Sequence, residues 1–188
     1  MLDRAATPAR IGVKAGVDGL SKAVTLVVTM AAARALEPEA FGMLALGMTS
    51  GWILGVVTDA GLSMHLARAV ARAPHEARGL AFRLISVRAL AAALALVLTA
   101  VLSTWFVPDP WPAAFVLLVA AQLAGAVLDT VAHAFRGLER IELESAIQLA
   151  QRAAAVGLAL AVLGVAPQLD LLAAALVVPP ATAAVIAA

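Results

Sequence analysis

Asp18 and Lys22 stand four residues apart within a long apolar stretch, and Asp129 and His133 repeat that spacing further along. Four residues is about one helical turn, so each pair shares a helix face. Charges inside an apolar span are costly and point to function. In the first pair the acid precedes the base, the better orientation on a helix. Two readings stay open for it: a cavity-facing pair whose Lys22 draws in a diphosphate, or a self-neutralising pair that eases insertion near the interface. The second pair reads as a proton or cation relay, because histidine titrates near neutral pH and a carboxylate can hold it charged. Arg136 follows one turn later; the alternative is an interfacial hydrogen-bonded pair. Asp18, Asp129 and His133 are the candidate ion-coupling residues.

A guanidinium binds phosphate oxygens through two parallel hydrogen bonds. Arg88 lies deeper in its apolar run than Arg83 and, with Lys22 and Arg68, forms the candidate anion-binding set. Arg88 has a plainer reading as a residue that snorkels toward the headgroups and Arg68 as a positive-inside residue, while Lys14 reads foremost as a snorkelling anchor. Asp59 or Thr58 is placed to cap the helix that follows Gly61. Gly47, Gly51 and Gly55 recur at strict intervals of four, a small-residue stripe for helix-packing at close range.

Several chemistries are excluded. Without cysteine there is no disulfide, thiolate metal site or thiol nucleophile. No phosphate-cradling loop and no H-E-x-x-H pattern occurs, so neither a cofactor nor a metal is expected. Glu139, Glu142 and Glu144 form the one dense acidic cluster, and Glu139 and Glu142, interleaved with Arg140, read as a solvated helix start. The arginines are spread over separate gaps rather than gathered on one basic face, which argues against nucleic acid.

The elements that position these residues follow from composition. The 188 residues are 63% hydrophobic and 13% charged, with a mean hydropathy of +0.99. Soluble domains are nearer half apolar and a quarter charged, so lipid is the main solvent. A spanning helix needs about 20 apolar residues. The sequence predicts an all-α bundle of about six membrane helices: 13–36, 40–60 with an extension to 73, 81–106, 112–135, 145–165 and 171–188. Gly61 is the expected bend, and Pro179-Pro180 is expected to kink the last helix. Ten-residue alternating barrel strands are absent from the pattern.

Lys and Arg collect at 1–14, 68–88 and 136–152, while 37–39, 107–112 and 166–170 hold none; only Arg34 lies near the second set. Basic loops stay in the cytoplasm, so the N-terminus is expected inside a bacterial cytoplasmic membrane. Lys14 and Lys22 ahead of the first apolar run fit a signal-anchor helix better than a cleaved leader. The final run is still apolar at Ala188, which reads as a fragment.

Two stretches carry a resemblance. Ala33 to Gly42, followed by Asp59-Ala60-Gly61-Leu62-Ser63 and Arg68, is one; Phe135-Arg136-Gly137-Leu138-Glu139-Arg140 is the other. Together they resemble the polysaccharide-biosynthesis flippases of the multidrug/oligosaccharidyl-lipid/polysaccharide exporter superfamily. The resemblance implies twelve to fourteen helices in two lobes, of which residues 1–188 supply the N-terminal one without its C-terminal partner. It further implies alternating-access transport of an undecaprenyl-diphosphate-linked oligosaccharide, contact with membrane lipids, and cooperation with polymerase and glycosyltransferase machinery. A multidrug or cation-coupled exporter of the same superfamily is the alternative; five Phe, three Trp and a basic lean argue against it. A membrane enzyme would need convergent His and carboxylate groups, and a non-transporting scaffold is the remaining class. Reporter domains fused after Arg78 and after Pro108 are expected on opposite sides of the membrane; the same side for both would overturn the topology.

Overall fold

The computed structural model describes residues 25–138 and 140–187. All regular structure among them is helical, as the composition predicts. The first helix, α1, is described over Thr25–Ala35. It is followed by α2 (Pro38–Asp59), α3 (Leu62–Arg72), a short 3-10 turn (Pro74–Glu76), α4 (Ala77–Phe106), α5 (Pro112–Gly137), α6 (Ile141–Val165) and α7 (Leu169–Ala187). Five of these are long and apolar enough to cross a bilayer: α2, α4 with its preceding turn, α5, α6 and α7. The expected first span began at Val13, and its part before Thr25 lies outside the described residues.

Local chemistry sets the ends. Pro38 and Pro112 open α2 and α5, where a missing N–H costs nothing and the ring pre-sets the backbone. Between α2 and α3 the chain turns through Ala60 (φ 43°) and Gly61 (φ 83°). Both lie in the left-handed region that ends helices, and glycine enters it without a Cβ penalty. The bend therefore falls where the sequence puts it. Helices α4 and α6 start about one turn earlier than expected, at Ala77 and Ile141. For α6 the reason is visible: Leu143 and Glu144 donate their N–H groups to the Arg140 carbonyl, and Glu142 and Glu144 occupy the first turn, where the helix dipole favours negative charge. Helix α7 starts two residues early and continues across Pro179-Pro180. Thr182 Oγ1 donates to the carbonyls of Val178 and Pro179, which ties that turn together.

Helix α5 is the centre of the bundle. It contacts α2, α3, α4, α6 and α7, and Leu118, Val119, Leu123, Leu128 and Val131 along it are buried. The glycine stripe of α2 lies against it. A Cβ added at Gly47 would come within 2.8 Å of Leu118, one at Gly51 within 2.7 Å of Gln122, and one at Gly55 within 3.4 Å of Ala126. Each contact joins a residue of α2 to the residue 71 positions later, so the two helices run parallel in one constant register. Past the bend the register changes. Ser63 meets Thr130 and Val70 meets Gly137, each 67 positions later. The left-handed turn absorbs one helical turn of chain without moving α3 off α5.

Exposed side chains along the middle of α4 are apolar, among them Leu90, Leu94, Val97, Leu98 and Val101. That is the surface a lipid-facing helix presents. Gly51→Ala would set its methyl 3.0 Å from the Val119 backbone and is expected to cost about 1–3 kcal/mol, as overfilled cores do. Gly55→Ala reaches only ordinary contact distance and should be neutral. Melting of the purified protein in detergent tests this; equal midpoints for the two variants would contradict the stated contact.

Candidate functional site

A polar layer crosses the bundle at the level of the α2–α3 bend. At about 1.5 Å of rise per residue, Thr58 lies roughly 30 Å along α2 from Pro38. By the same measure, about 1.5 Å per residue, Arg88 is roughly 27 Å from the Phe106 end of α4. Asp129 and Gln148 are each roughly 26 Å from the Pro112 end of α5 and the Val165 end of α6. The four residues therefore share one depth, near one edge of a hydrocarbon core about 30 Å thick.

Arg88 is the largest fully buried side chain, with 2% of its surface exposed. Its Nη1 donates to Thr58 Oγ1 and its Nη2 to the Gly55 carbonyl, both at 2.7 Å. The guanidinium thus reaches across from α4 and grips the last turns of α2. Those carbonyls form the negative end of the helix dipole, where a cation is favoured. Thr58 Oγ1 in turn donates to the Leu54 carbonyl at 2.7 Å. Arg88 Nε is buried and has no hydrogen-bond partner among the described residues.

Asp59, next in sequence, looks the other way. Its carboxylate accepts from the backbone N–H of Gly61 (3.2 Å) and Ser63 (3.4 Å) and from the Ser63 hydroxyl (2.5 Å). It serves the free N–H groups at the start of α3, the capping expected of it. Ser63 Oγ also lies 3.0 Å from Thr130 Oγ1, which carries the network onto α5. No sequence signal singled out these two hydroxyls, since Ser and Thr inside apolar helices commonly bond only to their own backbone.

A second part of the layer joins α5 to α6. The Asp129 carboxylate accepts from Gln148 Nε2 at 3.4 Å. His133 does not contact that carboxylate: its Nδ1 lies 2.7 Å from the Asp129 backbone oxygen, and its Nε2 is 3.3 Å from Arg136 Nη1. Both contacts are satisfied together by the neutral ring with its proton on Nδ1. Arg136 also forms an ion pair with Glu144, through Nε at 3.2 Å and through Nη2. Glu144 is 1% exposed. The start of α6 at Ile141 carries Glu144 against α5. Glu142 is exposed, and Glu139 lies outside the described residues.

The other candidates are dispersed. Asp18 and Lys22, with Lys14, lie outside the described residues. Arg68 is exposed on α3, on the face opposite the buried Ser63, Leu66 and Val70. Arg83, His65 and His75 are exposed as well. Among the described residues no group of three His or carboxylate side chains is placed to hold a metal ion.

A family model described as polysaccharide biosynthesis protein matches residues 9–188. The chain belongs to that family, and with its five apolar helices it is a multi-pass membrane protein. No curated protein and no solved structure matches it. Arg88→Lys keeps the charge but loses the planar fork that serves two acceptors at once. It and Arg88→Ala are both expected to destabilise the fold, the latter by about 1.5–3 kcal/mol, the range for a hydrogen bond to a charged group. Unchanged melting of Arg88→Lys would show that one ammonium serves as well.

Proposed function

We propose that this chain is the N-terminal lobe of a flippase that moves undecaprenyl-diphosphate-linked oligosaccharide across the bacterial cytoplasmic membrane, with its N-terminus in the cytoplasm. The observation that carries this reading is the family match over residues 9–188. The polar layer near one membrane edge supports it, because a diphosphate entering from the cytoplasm meets cationic and hydroxyl groups there first. The work is transport and involves no covalent chemistry on the substrate.

In this reading Lys22, Arg68 and Arg88 attract the diphosphate. Arg88 holds two neutral acceptors at rest. Phosphate oxygens are charged acceptors and form hydrogen bonds roughly twice as strong. Substrate therefore competes for the guanidinium and loosens the hold of α4 on α2. Asp18, Asp129 and His133 are the groups through which an ion gradient would act. His133 sits between the Asp129 carbonyl and Arg136. Polymerase and glycosyltransferase machinery would supply the substrate and use the product.

The test uses the full-length protein in a strain lacking it. Lys22→Ala and Arg68→Ala, at unchanged membrane levels, are expected to lower surface polysaccharide about tenfold or more, as the loss of one charged contact of 1.5–3 kcal/mol predicts. Unimpaired surface polysaccharide in both would remove them from the site. Restoration of dye efflux in place of polysaccharide would favour the multidrug exporter instead.

A further inference from the structure

Arg152 is the deepest charge among the described residues. It lies roughly 20 Å from the Val165 end of α6 at about 1.5 Å per residue, one turn further into the span than Gln148. It closes the basic stretch 136–152 yet lies well inside α6, which runs from Ile141 to Val165. A guanidinium at that depth must meet water or a polar partner. Among the described residues no hydrogen bond or ion pair engages it.

Its direction on the helix is informative. Glu144, Gln148, Arg152, Ala155 and Ala159 follow the i, i+4, i+7 spacing that marks one face. That face looks into the bundle: Glu144 is buried against Arg136, Gln148 reaches Asp129, and Ala159 is fully buried. Arg152 lies between these contacts on the same stripe, yet it is exposed. Its exposure is therefore toward a gap on the inner side of α6. The lipid-facing residues of α4 show what the other surface looks like, and they are all apolar.

We propose that Arg152 binds a phosphoryl anion on the wall of a water-filled passage between α5 and α6, with Gln148 and Asp129 beside it. This rests on the transport reading above and adds a site beyond the α2–α3 bend. An anion leaving the Arg88 level finds Arg152 one turn deeper.

The described chain has no cysteine, so single thiols can be placed at will. In the full-length protein, with any cysteine beyond residue 188 replaced, the thiols of Arg152→Cys and Gln148→Cys are treated with a charged methanethiosulfonate in phosphatidylcholine vesicles. The thiolate is the reactive form and requires water, so both are expected to react about tenfold or more faster than Leu94→Cys on the lipid face. Inorganic pyrophosphate is then expected to slow the reaction of Gln148→Cys several-fold while Arg152 is present, and not in the Arg152→Gln background.

Reaction of Arg152→Cys as slow as that of Leu94→Cys would overturn the passage. Equal effects of pyrophosphate in both backgrounds would overturn the anion site. Protection by added phosphatidylglycerol with none by pyrophosphate would assign the charge to a phospholipid headgroup and overturn the proposal too. None of these readouts requires transport. A protein that shows the expected protection but fails to restore surface polysaccharide would sink the flippase reading and leave Arg152 in place.

Discussion

Apolar helices in lipid gain nothing from hiding apolar surface, since the tails around them are as apolar as leucine. They hold together where backbones come close enough for dense contact. In this bundle that closeness is concentrated at Gly47 and Gly51 of α2, where there is no room for a methyl group against Leu118 and Gln122 of α5. The constant register of α2 on α5 fixes how far α2 runs before it bends. The bend in turn fixes the level at which Thr58, Asp59 and Ser63 meet their partners. Displacing α2 by one turn would part Gly55 and Thr58 from Arg88, and Ser63 from Thr130.

The polar layer shows how a few hydrogen bonds are used where water is scarce. Consecutive residues of α2 divide the work: Thr58 faces Arg88 on α4, while Asp59 faces the first N–H groups of α3. Ser63 then links α3 to Thr130 on α5. Three helices are tied to the foot of α2 within one turn of chain. On the far side of α5, Arg136 and Glu144 do the same for α6. A buried ion pair of this kind adds little net stability but is damaging to break. Its value here is in fixing which turn of α6 lies against α5.

Much of this was legible in the sequence, for physical reasons. Long apolar runs specify helices and their number. Pro38, Gly61 and Pro112 mark boundaries because their backbone preferences are local. The four-residue glycine spacing points to close contact without naming the partner, and α5 emerged only from the structure. Side-chain pairing was harder to read. Asp129 and His133 share a face, yet the histidine turned to the backbone carbonyl, since a helix offers that acceptor one turn back whatever the residue. Glu144 stands one residue before the expected helix start at 145, and the start of α6 at Ile141 places it in the first turn, against α5. Helix starts are the least certain element of a sequence reading, and charged residues at those starts inherit the error.

The parallel contact between α2 and α5 has a bearing on how the protein is made. Membrane helices leave the ribosome in order, and α2 is complete 71 residues before each of its closest partners exists. Its contacts with α4 are sparser than those with α5. During synthesis, therefore, α2, α3 and α4 wait in the bilayer joined mainly through Arg88 and Asp59, with the glycine stripe unpaired and the Ser63 hydroxyl short of its bond to Thr130. The arrival of α5 converts that set into a bundle. Its apolar length supplies the missing surface to α2, α3 and α4 in one step, and α7 then closes over its remaining side. The fourth expected spanning segment is thus the point in translation at which most of the contacts within this bundle can first form.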